Sequence, residues 1–138
     1  MCNLTDIQNT IEKICINETV DGLHFWGPKL MLSVNNSLYE EVYLRIEGAF
    51  QITENEETIR IERGNAERLQ QLCRLAFQKI TTVKFVALND LYITFESGIE
   101  LEVFGDNDTY EGWQLEAWLN EEQFLIVAGP GECISIFE

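Results

Sequence analysis

The second half of this 138-residue chain lacks basic residues altogether. Residues 85–138 contain twelve Asp and Glu with no Lys or Arg, which gives them a net charge of −12. Residues 1–84 hold all nine Lys and Arg against twelve acids, a net charge of −3. Such a field repels nucleic acid and anionic membrane, and it speeds the encounter with basic proteins. The acidity therefore argues against nucleic acid and anionic membranes as partners and favours basic proteins.

Long hydrophobic runs, a secretion leader and cysteine motifs are also missing. No stretch approaches the roughly 18 apolar residues that span a bilayer, and residues 1–12 lack the basic start and apolar core of a signal peptide. The cysteines form no CxxC pair and no zinc spacing; they are Cys2, Cys15, Cys73 and Cys133. We therefore expect a cytoplasmic protein with reduced, mostly buried thiols and with no metal or other cofactor.

Groups typical of catalysis are scarce. His24 is the only histidine, and it lies in a half-apolar segment typical of a strand, where a structural role is favoured. One histidine in such a place indicates neither a Ser–His–Asp nor a Cys–His site, and no glycine-rich phosphate loop occurs. Carboxylates are abundant, so an enzyme that uses two of them remains an alternative. We predict that the protein is not an enzyme.

Two helices are predicted from apolar periodicity. Ile7, Ile11 and Ile14 recur at helical spacing and predict a helix over 6–15. The preceding Thr5-Asp6-Ile7-Gln8 has the form of a capping box, which assigns the Gln8 side chain to a free N–H at the helix start. A second apolar stripe predicts a central helix over 66–79; it consists of Leu69, Leu72, Cys73, Ala76 and Ile80.

Most of the remaining chain alternates apolar and polar residues, as half-buried strands do. Around Gly98, a two-residue turn would send the apolar residues of the two flanking strands to opposite faces. A three-residue loop over 96–98 instead pairs Phe95 with Ile99 and puts Gly98 where a positive φ is needed. The carboxylates of this hairpin then face away from the core; they are Glu96, Glu100 and Glu102.

A weak internal repeat suggests how the strands are organised. Residues 19–50 and 82–105 both follow the order strand, hairpin, strand, glycine, and the helix at 66–79 joins them. The alternative is a coincidence between generic strand patterns. We predict a single α+β domain over 1–138, mainly antiparallel β-sheet from two related β-meander units, with an N-terminal helix and a central helix.

The C-terminal half carries a short signature formed by Gly98, Leu101, Val103, Tyr110-Glu111-Gly112-Trp113, Pro130-Gly131 and Phe137. With the repeat, it resembles a family of small bacterial proteins in which a hairpin leads to a Y-E-x-W motif, a P-G turn and an aromatic-ended strand. The resemblance covers most of the chain after residue 18, and Glu132 departs from it where a second glycine is frequent. Members resemble proteins encoded beside toxin genes, so the resemblance implies an immunity protein.

The charge distribution and this resemblance together predict an immunity-type inhibitor that binds and neutralises a basic protein toxin. A nuclease is the expected kind of toxin, because its surface must attract phosphate. Parity places Trp113 in the core and Trp118 on the opposite face, where a Trp can anchor an interface unless a helix or second layer covers it. The predicted partner-binding residues are Glu100, Glu102, Asp106, Asp108, Glu111, Glu116, Trp118, Glu121 and Glu122.

Two alternatives concern the use of the acidic residues. A small-ligand-binding or adaptor module would use acidity only for solubility, and a deep apolar pocket would favour it. The carboxylates over 106–111 could also form a calcium loop, because hard cations prefer oxygen ligands. That run lacks the glycine and the twelfth-position glutamate of an EF-hand, so a solvated or partner-facing acidic tip is the favoured interpretation.

Overall fold

A computed structural model describes residues 4–24, 29–32, 39–86, 89–105, 112–128 and 134–137. The helices within these ranges are α1 (Leu4–Cys15) and α2 (Arg68–Leu72), the latter followed by a 3₁₀ turn at Cys73–Leu75. The strands are β1 (Val20–His24), β2 (Lys29–Leu32), β3 (Glu41–Ile46), β4 (Phe50–Glu54), β5 (Glu57–Ile61), β6 (Ile80–Val86), β7 (Asp90–Phe95), β8 (Glu100–Val103), β9 (Trp113–Leu119), β10 (Glu122–Ala128) and β11 (Ile134–Phe137).

The strands form two antiparallel sheets. The first has six strands in the order β1-β2-β3-β9-β10-β11, and the second has five in the order β5-β4-β8-β7-β6. The predicted α+β class, with mainly antiparallel sheet, an N-terminal helix and a central helix, is therefore confirmed.

The chain crosses between the sheets twice, in the same manner each time. The meander β1-β2-β3 lies in the six-stranded sheet, and the hairpin β4-β5 that follows it lies in the five-stranded sheet. The meander β6-β7-β8 lies in the five-stranded sheet, and β9-β10-β11 lie in the six-stranded sheet. Each meander thus pairs with strands from the other half, through β3 with β9 and β4 with β8.

Glycines allow the close backbone contact at these crossings. The N–H groups of Glu47 and Gly48 each donate to the carbonyl of Gly112, at 2.9 Å. A Cβ on Gly105 would collide with the backbone carbonyl of Asn89, and one on Gly112 would lie 2.7 Å from the carbonyl oxygen of Phe104. Only residues without a side chain fit where the two bends meet.

The core lies between the sheets and consists of alternate residues from both. Val42, Leu44 and Ile46 of β3 are buried, as are Leu101 and Val103 of β8. Each such side chain contributes roughly 1.5–3 kcal/mol when it is fully buried. The largest buried side chains are those of Trp113, Phe50 and Phe95. Trp113 is buried as predicted, and its indole N–H donates to the carbonyl oxygen of Asn89 at 2.7 Å.

The helix α1 covers the edge of the five-stranded sheet at β6. Its buried isoleucines confirm the predicted amphipathic helix. Gln8 differs from its predicted capping role: its Nε2 donates to the carbonyl of Val83 at 2.8 Å, and its Oε1 accepts from the N–H of Phe85 at 2.6 Å. The side-chain amide takes the place of a neighbouring strand, because edge-strand backbone groups are otherwise unpaired.

The central helix is much shorter than the predicted 66–79. It ends at Leu72, the 3₁₀ turn continues to Leu75, and Ala76 is extended with ψ 131°. Phe77 then adopts a positive φ of 64°, and its N–H donates to the carbonyl of Val20 at 2.8 Å. Backbone pairing between this segment and the start of β1 therefore outweighs the helical periodicity.

The cysteines only partly match the expectation of burial. Cys15 is a buried free thiol, and burial, followed by the negative charge of Glu18, raises its pKa to about 12. Cys73 is exposed, because the helix whose apolar stripe was predicted to include it ends at Leu72. Cys2 and Cys133 lie outside the described residues, as does the predicted Pro130-Gly131 turn.

The loop after β7 has the predicted geometry. The N–H of Phe95 donates to the carbonyl of Ile99 at 2.9 Å, and Gly98 has a φ of 94°. Glu96 and Glu100 are exposed and Glu102 is half-buried, so the carboxylates do face away from the core. Among the described helices, none is both long and apolar enough to cross a membrane.

Candidate functional site

The strand β9 presents Glu116 and Trp118 on the outer face of the six-stranded sheet. Side chains alternate between the two faces of a strand, and Trp113, Leu115 and Ala117 point into the core, so Glu116 and Trp118 point outward. Trp118 is half-buried rather than covered. The helix α1, which could have covered it, packs against β6 of the other sheet.

Residues from both halves of the chain lie beside Trp118. Glu41 of β3 and Gln123 of β10 lie directly opposite it on the neighbouring strands. The N–H of Glu40 donates to the carbonyl of Trp118 at 2.8 Å. Glu116 lies two residues from Trp118 on the same face, because alternate residues of a strand share a face.

The β9–β10 hairpin adds further carboxylates beside this tryptophan. Its two-residue turn consists of Asn120 and Glu121, with φ values of 51° and 69°, as a type I′ turn requires. The N–H of Asn120 donates to Oε1 of Glu40 at 2.7 Å, which ties the turn to β3. Leu119 and Glu122 pair with each other and have the parity of the inner face, at the exposed end of the hairpin beyond the core. We call this end of the sheet the Trp118 patch; its outer face holds Glu41, Glu116 and Trp118, and its hairpin end holds Glu40, Leu119, Glu121 and Glu122.

The Trp118 patch combines negative charge with exposed apolar surface. It contains no Lys or Arg, and the side chain of Leu119 is 42% exposed. Arg45 lies on the same face of β3, but its Nε is 3.8 Å from a carboxylate oxygen of Glu47. The pKa of nearby Tyr43 is raised by burial and by the charges of Glu41 and Glu116. The patch is thus suited to a cationic surface with an apolar contact at its centre.

Glu100 and Glu102 lie on a different surface. They project from β8 on the outer face of the five-stranded sheet, so the core separates them from the Trp118 patch. There they line an open groove of about 490 Å³, which we call the polar groove; its lining includes Gln51, Thr82, Lys84, Tyr92, Glu100 and Glu102.

Hydrogen bonds organise the floor of the polar groove. Nε2 of Gln51 donates to Oε1 of Glu102 at 2.9 Å. The Tyr92 hydroxyl also bonds Glu102, and this bond, followed by burial and the negative charges of Glu102 and Asp90, raises the Tyr92 pKa to about 12. Glu102 is therefore already engaged within the protein and is poorly placed to meet a partner's cation.

The predicted partner-binding set is thus divided. Glu116 and Trp118 share the outer face of β9, Glu121 and Glu122 lie at the end of the same hairpin with Glu122 on the inner-face side, and Glu100 and Glu102 belong to the polar groove. Asp106, Asp108 and Glu111 lie outside the described residues. Within the described ranges, no group of three or more His, Cys, Asp or Glu side chains is placed to hold a metal ion.

Sequence reasoning missed Glu40 and Glu41. They lie in the first half of the chain, where acids and bases nearly balance, so their charge gave no signal. They join the patch only because β3 pairs with β9, some 70 residues later in the chain. The alternation of Val42, Leu44 and Ile46 is consistent with an outward Glu41, but it does not identify the strand beside it.

Comparison with known proteins gives a family but no annotated relative. Neither the curated proteins nor the solved structures contain a match to this chain. The sequence pattern of DUF6188, a family of unknown function, matches residues 23–138, and the chain therefore belongs to that family.

Proposed function

We propose that this protein is a cytoplasmic immunity-type inhibitor, not an enzyme, and that its Trp118 patch binds and neutralises a basic protein toxin. The observation that supports this proposal is the position of Trp118. The ring lies half-buried on the outer face of the sheet, with the carboxylates of Glu41 and Glu116 on the same face and the acidic β9–β10 turn at the end of the hairpin. Tryptophan is the residue type most enriched among the anchors of protein interfaces.

The charges and the tryptophan have separate roles in this interaction. The carboxylates attract the basic partner and raise the association rate, an effect that salt screens. Trp118 becomes buried in the complex and lowers the dissociation rate. The pairing of β9 with β3 and β10 fixes the anchor before binding, so little conformational entropy is lost.

A nuclease is the toxin class that this surface fits best. A nuclease binds phosphates through clustered Lys and Arg, and the same cluster is attracted to the Trp118 patch. A bound protein of −15 net charge would then exclude nucleic acid both sterically and by repulsion. Inhibition by this route does not require contact with the catalytic residues themselves.

The chain offers a matched control for testing the patch. The sequence Asn-Glu-Glu occurs in the β9–β10 turn at 120–122 and again in the β4–β5 turn at 55–57. In both turns the Asn and the first Glu have positive φ. The double substitutions E121Q/E122Q and E56Q/E57Q therefore remove the same charge from the same type of turn, inside and outside the patch.

The partner to test is the product of the gene next to this one, measured by co-purification and then by stopped-flow association and dissociation. We expect E121Q/E122Q to slow association several-fold at low salt and E56Q/E57Q to leave it nearly unchanged. Trp118→Ala should raise the dissociation rate by roughly 30-fold or more, the effect of losing about 2 kcal/mol at an interface anchor. Equal effects of the two double substitutions would mean that only total charge matters, and the patch proposal would be wrong.

A further inference from the structure

The polar groove differs from the Trp118 patch in shape and in chemistry. It is a depression of about 490 Å³, within the usual range of small-molecule sites. Two rows of cross-strand neighbours form it. One row runs Lys84, Tyr92, Glu102, Gln51, and the next runs Thr82, Thr94, Glu100, Thr53. The range of possible ligands is therefore set by side chains that regular sheet geometry holds in register.

Two opposite charges in this groove have no partner among the residues that the structure describes. The Lys84 ammonium and the Glu100 carboxylate are exposed, and neither makes a hydrogen bond or ion pair within the described part of the chain. By contrast, Glu102 already bonds Gln51 and Tyr92. Within the described ranges, the groove thus holds one cation and one anion that are not paired with another side chain.

Sheet geometry gives the separation of these two charges. Lys84 on β6 and Glu100 on β8 are two strands apart, and Glu100 is two residues along β8 from the row that contains Lys84. With strands about 4.8 Å apart and a rise of about 3.4 Å per residue, their Cα atoms are about 12 Å apart. Side chains stand nearly perpendicular to a sheet, so their charged ends keep a similar spacing.

A ligand that bridges these charges must carry both signs. An extended dipeptide places its terminal charges about 7 Å apart. Ion-pair contacts of about 2.8 Å at each end complete the 12 Å span. Tyr92 and Thr94 lie on β7, the strand between the two charges, and the Thr94 hydroxyl can bond the ligand's peptide group.

We propose that the polar groove binds a small zwitterion of dipeptide length, with the ligand's carboxylate on Lys84 and its ammonium on Glu100. A simple anion would meet Glu100 and Glu102 as well as the overall negative field, and a simple cation would meet Lys84. The site lies on the other sheet from the Trp118 patch and stands independently of the toxin-binding proposal.

The test uses the full chain and three probes. Alanyl-alanine and 6-aminohexanoate carry both charges at suitable spacing, and N-acetyl-alanyl-alanine amide carries neither. Each is titrated to 50 mM while backbone amide shifts are followed by NMR. We expect saturable shifts confined to β4, β6, β7 and β8 for the two zwitterions and none for the blocked peptide. Binding of the blocked peptide, shifts elsewhere, or no saturable shift would overturn the proposal.

Substitutions then test the two charges separately. Lys84→Gln and Glu100→Gln should each weaken binding roughly tenfold, the loss of about one ion pair. Lys79→Gln and Glu67→Gln remove the same charges at exposed positions outside the groove and should change nothing. The double reversal K84E/E100K should restore binding that either single reversal abolishes. Failure of the double reversal to bind, with the fold intact by its amide spectrum, would contradict the charge assignment.

Discussion

At the residue scale, Tyr92 shows how a surface side chain can be tied into the sheet. Its ring is 39% exposed, yet its hydroxyl bonds Glu102, which also accepts from Gln51. The bond and the negative charges beside it favour the protonated phenol. The folded state therefore holds the Tyr92 proton more tightly than the unfolded chain does.

This difference predicts a dependence of stability on alkaline pH. The Tyr92 pKa rises from 10.0 to about 12 on folding. The contribution of this group to the free energy of unfolding is therefore complete below pH 10 and is lost as the pH rises through 12. We expect the free energy of unfolding to fall less steeply over this range in Tyr92→Phe than in the unsubstituted protein. Urea unfolding between pH 9 and 12 measures both slopes.

Cys15 and Tyr43 also have raised pKa values. Their effects on the free energy of unfolding are the same in Tyr92→Phe as in the unsubstituted protein, so they cancel when the two slopes are compared. Glu102→Gln provides a second check. It removes the charge that the Tyr92 hydroxyl bonds, so the absorbance change at 295 nm from Tyr92 ionisation should move toward pH 10. Identical slopes and an unmoved titration would show that the Glu102 contact does not hold the Tyr92 proton.

Single residues were predictable where one strand or one turn decides their position. The parity of β9 correctly placed Trp113 inside and Trp118 outside, and the loop length around Gly98 correctly turned Glu100 outward. The predictions of a capping role for Gln8 and of burial for Cys73 were wrong, because the surroundings of both residues come from distant parts of the chain. The capping box did not reveal that a free strand edge lies within reach of Gln8.

At the scale of elements, α1 protects an edge that would otherwise be open to other chains. The strand β6 is the last of the five-stranded sheet, and Gln8 occupies its outward backbone groups at Val83 and Phe85. Exposed edges of this kind are templates for pairing between molecules. The helix therefore has a protective role in addition to burying Ile7, Ile11 and Ile14.

Gln8→Leu should lower the free energy of unfolding by about 1–3 kcal/mol, because it leaves the partly buried carbonyl of Val83 and N–H of Phe85 without their partner. We also expect association at high concentration through the uncovered edge. Chemical unfolding and analytical ultracentrifugation measure the two effects. Gln70→Leu, an exposed site on α2, is the matched control. A Gln8→Leu protein as stable and as monomeric as this control would show that the amide does not protect β6.

Elements themselves were predicted well in type and less well in extent. The predicted strand parities and the predicted N-terminal helix were correct, whereas the predicted central helix was longer than the observed one. The apolar stripe of the predicted helix continues through Ala76 and Ile80. This segment is not helical, because its backbone forms hydrogen bonds with the start of β1 instead. Such pairing is a long-range interaction that local periodicity does not report.

At the scale of the whole molecule, the two halves exchange strands. Each half contributes a meander to one sheet and further strands to the other, so β3 finds its neighbour in β9 and β4 in β8. The sequence repeat indicated two related units, but it did not indicate that they interlock. The same exchange brings Glu40 and Glu41 beside Trp118.

This exchange predicts the behaviour of separated halves. A cut between Gly64 and Asn65, both exposed, yields fragments 1–64 and 65–138. We expect neither fragment alone to give a cooperative thermal transition by circular dichroism, because each leaves β3 and β4, or β8 and β9, without the neighbours they need. Mixing them should restore one cooperative transition and the amide spectrum of the intact chain. Cooperative folding of either fragment alone would contradict this view of the interlocked sheets.

The interlocked halves also have a consequence for symmetry. If the two halves are exchanged, so that β3 takes the place of β8 and β4 takes the place of β9, the pair β3–β9 becomes the pair β8–β4. Both pairs are antiparallel, so this pattern of pairing is unchanged by the exchange. The charge does not share this symmetry, because no Lys or Arg follows residue 84.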